Sequence, residues 1–190
     1  MNKRQLQNDA RWLKESGLKS HTLPQQIACW LLDRGSLTQR IIKACDGHFR
    51  VQLLGQSWQR PLREESMMLG IDPQQWVLTR HVLLLCDESP WVYARTVIPR
   101  KTLSGSHRRL ASLGDKPLGA VLFADRHMRR GEVEVAELHS GQSLYRQIEQ
   151  ASACACADKT VWARRSLFQL SEKPLLVYEC FLPQVGHCDG

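Results

Sequence analysis

No stretch of this 190-residue chain approaches the roughly 20 consecutive apolar residues that a membrane-spanning helix needs. The basic start Met1-Asn-Lys-Arg4 runs into polar sequence, not into the apolar core of a secretory signal. The expectation is a cytoplasmic protein with no membrane span. Equally absent are His-Glu-x-x-His, Gly-x-Ser-x-Gly and a glycine-rich phosphate loop, which removes the familiar metalloprotease, hydrolase and nucleotide chemistries. Seven cysteines, Cys29, Cys45, Cys86, Cys154, Cys156, Cys180 and Cys188, are an odd number without the spacing of a small disulfide scaffold, and reduced thiols are expected. Cys154-Ala-Cys156 with His187-Cys188 is the nearest approach to a soft metal site, but structural zinc usually comes with two paired ligand clusters. No metal is expected. Internal repeats and a recognisable nucleic-acid module are missing as well.

What is present suits one globular core: 43% hydrophobic residues against 24% charged, in a length typical of a single domain. The formal net charge is +7, with basic clusters at His107-Arg-Arg109, Arg126-His-Met-Arg-Arg130 and Arg164-Arg165. These read as solvated faces that draw anionic metabolites inward, not as a phosphate-binding stripe, so no nucleic-acid partner is expected.

Residues 1–20 form a polar N-terminal segment, 21–183 a single domain and 184–190 a C-terminal tail. Thr22-Leu-Pro-Gln25 and Ser36-Leu-Thr-Gln39 both have capping-box spacing, which predicts two short helices meeting at a corner near Gly35. Strand patterns cover 49–53, 76–85, 91–98, 132–138, 161–170 and 174–182. A connecting helix is expected over 102–113, and Asp115-Lys-Pro-Leu-Gly119 opens another with Asp115 as candidate cap. Residues 139–159 read as a surface insertion with a helix near 144–149. Hairpins with helices gathered at the start and middle point to an α+β domain built on an antiparallel β-sheet.

Two charges interrupt otherwise apolar strand faces. Side chains alternate along a strand, so Arg80 shares its side with Leu78, Val82 and Leu84, and Glu179 with Leu175, Val177 and Phe181. Arg95 is a third such charge, beside Trp91, Tyr93 and Val97. A charge in that company is costly unless it is paired or faces a polar ligand. A structural salt bridge and a small-anion site explain these residues equally well. Leu37 and Leu118 fall in the first turns of predicted helices, where backbone N–H groups lack intrahelical partners.

Ser36-Leu-Thr-Gln-Arg40, Arg80-His-Val-Leu-Leu-Leu-Cys86, Ala94-Arg-Thr-Val-Ile-Pro99, Leu113-Gly-Asp-Lys-Pro-Leu-Gly119, Arg164-Arg-Ser166 and Lys173-Pro-Leu-Leu176, in that order, resemble the chorismate pyruvate-lyase family. The resemblance implies a cofactor-free lyase, of EC 4.1.3.40 type, whose helical flaps enclose an aromatic ligand over an antiparallel sheet. It converts chorismate to 4-hydroxybenzoate and pyruvate, at the head of ubiquinone biosynthesis, and is expected to be monomeric. The family's ligand-contacting residues fall on Leu37, Arg80, Leu118 and Glu179, with the arginine on the ring carboxylate and the glutamate on the 4-hydroxyl side. The position of Leu37 is commonly Met in the family, so a backbone contact there survives and a thioether role does not. Arg80 and Glu179 become the candidate catalytic pair, facing each other across the ligand without touching. Arg95 is the candidate second cation, for the enolpyruvyl carboxylate. The rival reading is a non-catalytic small-carboxylate sensor of the same fold. In transcription regulators such a sensor follows a DNA-binding helix-turn-helix, and the roughly 20 residues before Thr22 are too few for one.

Overall fold

Alternation of apolar residues builds seven strands in the computed structural model, which describes residues 10–18, 23–152 and 160–185. They are β1 (Leu13–Lys14), β2 (Phe49–Gln59), β3 (Val77–Cys86), β4 (Ser89–Pro99), β5 (Met128–His139), β6 (Thr160–Leu170) and β7 (Lys173–Phe181). All neighbours pair antiparallel, in the order β1-β5-β6-β7-β4-β3-β2. Two meanders, β2–β4 and β5–β7, are therefore joined where β7 pairs with β4. Ser171 and Glu172, with φ of 47° and 66°, make the tight β6–β7 turn in the left-handed conformation that two-residue hairpins favour.

Helices cover both faces, which explains why β3 and β4 are apolar almost throughout. On one face lie α1 (Gln25–Leu31), α2 (Leu37–Ala44) and α4 (Leu118–Phe123), together with the 3-10 segment Gly105–Ser112. On the other lie α3 (Arg63–Leu69) and α5 (Ser143–Ala151). Ser36 caps α2 as its spacing predicts, its hydroxyl accepting from Gln39 N–H at 3.4 Å. The start of α4 differs from expectation: Pro117, not Asp115, holds the N-cap position.

Several other expectations change. Residues 143–151 are no surface excursion, because Tyr145 and Ile148 of α5 are buried against Leu83, Tyr93 and Leu138. The thiols are not all reduced: Cys45, at the end of α2, is disulfide-bonded to Cys86, at the end of β3. Cys180 is free and buried, and burial pushes its thiol well above the ordinary range. Cys154, Cys156, His187 and Cys188 lie outside the described residues, as do most of the N-terminal segment and tail. Among the described residues no group of three or more His, Cys, Asp or Glu is placed to hold a metal, and no helix is long and apolar enough to cross a membrane.

Candidate active site

Between two apolar clusters on the first face, one around Trp30, Leu31 and Ile41 and the other around Leu110, Leu122 and Phe168, the packing opens into a cavity. Its floor is sheet: Arg80, Val82 and Leu84 from β3, Ala94 and Thr96 from β4, Val177 and Glu179 from β7. Its roof is the start of α2, with Gly35, Leu37 and Thr38, and the start of α4, with Pro117, Leu118 and Gly119. These two helix starts touch, since a Cβ on Gly119 would stand 3.3 Å from Thr38 Oγ1 and 3.4 Å from Ser36 Oγ. The glycine lets the two flaps meet.

Arg80 is 2% exposed. Its Nη2 donates to the carbonyls of Gly114 and Lys116, 2.9 Å each, while its buried Nε has no partner. Burial pulls this guanidinium's pKa down, and the Asp115 carboxylate partly offsets the effect. No carboxylate is salt-bridged to Arg80 among the described residues, so the loop carbonyls orient a cation without neutralising it.

Glu179 is held differently. Arg164 Nε donates to its Oε2 at 2.5 Å, and Arg130 Nη2 stands 3.8 Å from the same oxygen. Arg164 is 1% exposed, and its Nη1 donates to Trp30 O at 2.7 Å and Asp33 O at 2.6 Å. One guanidinium thus satisfies carbonyls left over at the end of α1 and fixes Glu179. Asp33 steadies the same corner: burial raises its pKa, but hydrogen bonds from Arg40 and Gly35 N–H and the charges of Arg40 and Arg164 leave it below the usual carboxylate range. Arg130 Nε donates to Ser166 Oγ at 3.0 Å and its Nη1 to Asp33 O at 3.4 Å. Burial lowers its pKa more than the Glu179 charge raises it.

Arg80 and Glu179 do not touch. Ala94 pairs with both Val82 and Glu179, so Glu179 lies two strands and one same-face step from Arg80. Ordinary strand spacing and rise put their Cα atoms roughly 12 Å apart. The four residues Leu37, Arg80, Leu118 and Glu179 line this one cavity.

Arg95 does not. It pairs with His81 and points to the opposite face, where its Nε donates to Glu65 Oε1 at 3.0 Å in a fully buried ion pair. The cause is a register shift between Leu84 and Leu85: Leu85 faces Pro90 but Leu84 faces Val92, leaving Trp91 as an extra residue. A plain two-residue hairpin would put Arg95 opposite Arg80, whereas the bulge puts Thr96 there.

Arg130, Arg164 and Arg165 are not the solvated faces that their clustering suggests. Arg165 bridges Glu64 and Glu134 on the far side of the sheet. The test applied to Arg80 would have found Arg164, since it shares a strand face with Trp162, Ser166 and Phe168. No local signal marks Arg130. A register shift between Arg130 and Val133 brings it to the same face as Val133 and Val135, against simple alternation.

A family model described as Chorismate lyase matches residues 6–187. A protein named Probable chorismate pyruvate-lyase from Methylococcus capsulatus is 40% identical over 156 residues, covering 82% of this chain and 94% of the relative. A Chorismate pyruvate-lyase from Hamiltonella defensa is 36% identical over 163 residues, covering 85% and 80%. Among solved structures, PhnF of Mycobacterium smegmatis has a TM-score of 0.57 at 14% identity, covering 82% of this chain and 67% of that one. The C-terminal domain of a histidine utilization repressor from Pseudomonas syringae has a TM-score of 0.55 at 7% identity, covering 75% and 97%. At such identities these two speak for the fold alone.

Proposed function

This chain belongs to the chorismate lyase family, and from that premise we infer how its residues divide the work of the reaction. Its activity is that of a chorismate pyruvate-lyase, which supplies the aromatic precursor for ubiquinone. Chorismate carries a ring carboxylate, a hydroxyl at C4 and an enolpyruvyl ether at C3. Loss of the C4 hydrogen together with the C3–O bond leaves aromatic 4-hydroxybenzoate and pyruvate.

Aromatisation drives the step, so the enzyme mainly holds the diene in a reactive geometry away from water. Positioning of this kind can remove roughly 7 to 11 kcal/mol of barrier. Arg80 anchors the ring carboxylate, with its buried, unpartnered Nε as the carrying observation. Glu179, pinned through Oε2 by Arg164, receives the 4-hydroxyl and takes part in proton removal from C4. Backbone N–H groups at Leu37 and Leu118 complete the polar contacts from the roof, so the Leu at position 37 costs nothing. The sensor reading draws on fold likeness only, and family membership favours the enzyme.

The direct experiment mixes purified protein with chorismate and a chelator, then measures both products. Equal amounts of 4-hydroxybenzoate and pyruvate are expected, and folded protein that forms neither would sink the lyase reading. Near-normal turnover by Glu179→Gln would remove the glutamate from proton transfer. A monomer is part of the proposal, checked by sedimentation. So is a cytoplasmic setting, against which the Cys45–Cys86 bond weighs, because reducing compartments keep thiols free. Thiol trapping in intact cells decides that point.

A further inference from the structure

Chorismate arrives with two carboxylates, while its aromatic product keeps one, so the site must hold one more negative charge before the reaction than 4-hydroxybenzoate carries after it. Resting on the lyase reading above, we infer that Arg130 receives the enolpyruvyl carboxylate and is the residue that separates substrate from aromatic product. Three charged side chains line the cavity, Arg80, Arg130 and Glu179. Arg164 is behind the wall, bonded to Glu179 and to the carbonyls ending α1, and it balances the glutamate's charge. Two cations then remain on the lining, Arg80 and Arg130, for two carboxylates.

The sheet order sets them out in the sequence the substrate requires. Arg80 is on β3 and Glu179 on β7, two strands on; Arg130 is on β5, two strands further in the same direction. A ring carboxylate at Arg80 and C4 near Glu179 therefore send the C3 ether arm toward β5. Arg130 has donors for it: Nε is taken by Ser166 and Nη1 reaches Asp33 O, but Nη2 makes no hydrogen bond among the described residues, its nearest carboxylate oxygen being 3.8 Å away. Its guanidinium carbon stands 5.2 Å from the centre of the Phe168 ring, which keeps the cation against an apolar wall.

Arg130 also ties the α1–α2 corner to the sheet, and a purely structural role predicts equal damage to every ligand. The test measures kcat, KM for chorismate and the inhibition constant of 4-hydroxybenzoate in the parent, Arg130→Gln and Arg130→Lys, with a melting curve for each. Arg130→Gln is expected to lower kcat/KM by about thirtyfold, the scale of a lost charge-assisted hydrogen bond, chiefly through KM. Its inhibition constant for 4-hydroxybenzoate should move by less than about threefold, since the product lacks the second carboxylate. Arg130→Lys should show the same selective loss to a smaller degree, and it decides the matter if Arg130→Gln does not fold. Equal shifts in KM and the inhibition constant, or none in either, overturn the assignment while leaving the lyase reading standing. A parent protein that yields no product overturns both.

Discussion

A guanidinium sunk in an apolar wall and steadied only by two loop carbonyls has donors to spare, whereas one enclosed by a carboxylate has none, and Arg80 and Arg95 are that contrast in one molecule. Their substitutions should fail in different ways. Arg80→Ala is expected to weaken 4-hydroxybenzoate binding by about ten- to a hundredfold, the range for hydrogen bonds to a charged group, measured by calorimetry. Arg95→Ala strands Glu65, which is wholly buried, and should lower unfolding stability by about 3 to 5 kcal/mol in urea titration. Product affinity of the protein that stays folded should hold. His81 gives a pH signature: burial and the neighbouring Arg95 charge lower its pKa to about 4. Its free-chain value is about 6.5, so between these limits the unfolded chain binds the extra proton. His81 thus contributes a stability that is complete above pH 6.5 and is lost as pH falls toward 4. Melting curves across that range should show it, and the slope should shrink in His81→Gln.

The flap helices are short, and what holds them is tertiary. Arg164 satisfies the end of α1, Asp33 locks the corner, and α2 meets α4 closely where residue 119 has no side chain. Gly119→Val should prop the flaps apart, raise the release rate of 4-hydroxybenzoate in stopped-flow fluorescence and weaken its retention. If release limits turnover, kcat rises with it. The strands teach a related lesson. Period-two reading located β3, β4, β6 and β7 and the right face of Arg80 and Glu179, because it is valid between bulges. It misplaced Arg95 and hid Arg130, because each lies beyond a register shift that reverses the faces. At the second shift Gly131 packs tightly on β6, since a Cβ there would stand 3.2 Å from Leu167 O.

Considered whole, the molecule is a sheet clad on both faces, with the cavity of Arg80 and Glu179 on one and a polar cluster of His81, Tyr93, Arg95 and Glu65 on the other. The Cys45–Cys86 bond staples the end of α2 to the end of β3, closing a loop of sequence separation 41. Chain-entropy reasoning gives such a crosslink up to about 4 kcal/mol. Cys45→Ser, or reductant added to the parent, should lower the melting temperature correspondingly, and a thiol titration on the unfolded protein should count the difference.

Hydrophobic alternation, helix-start chemistry and the misfit of single charges among apolar neighbours are local properties, and the sequence carries them openly. They established the antiparallel α+β architecture, the start of α2, a helix close after Asp115, and Arg80 and Glu179 as residues that need an explanation. Which charges share a cavity is not local. It depends on β7 pairing with β4 to carry Glu179 within two strands of Arg80, and on two bulges that turn Arg95 out and Arg130 in. A bulge forms where partner strands and the layers above them pack best with one residue extra, so only the assembled sheet decides which side of it a charge will face.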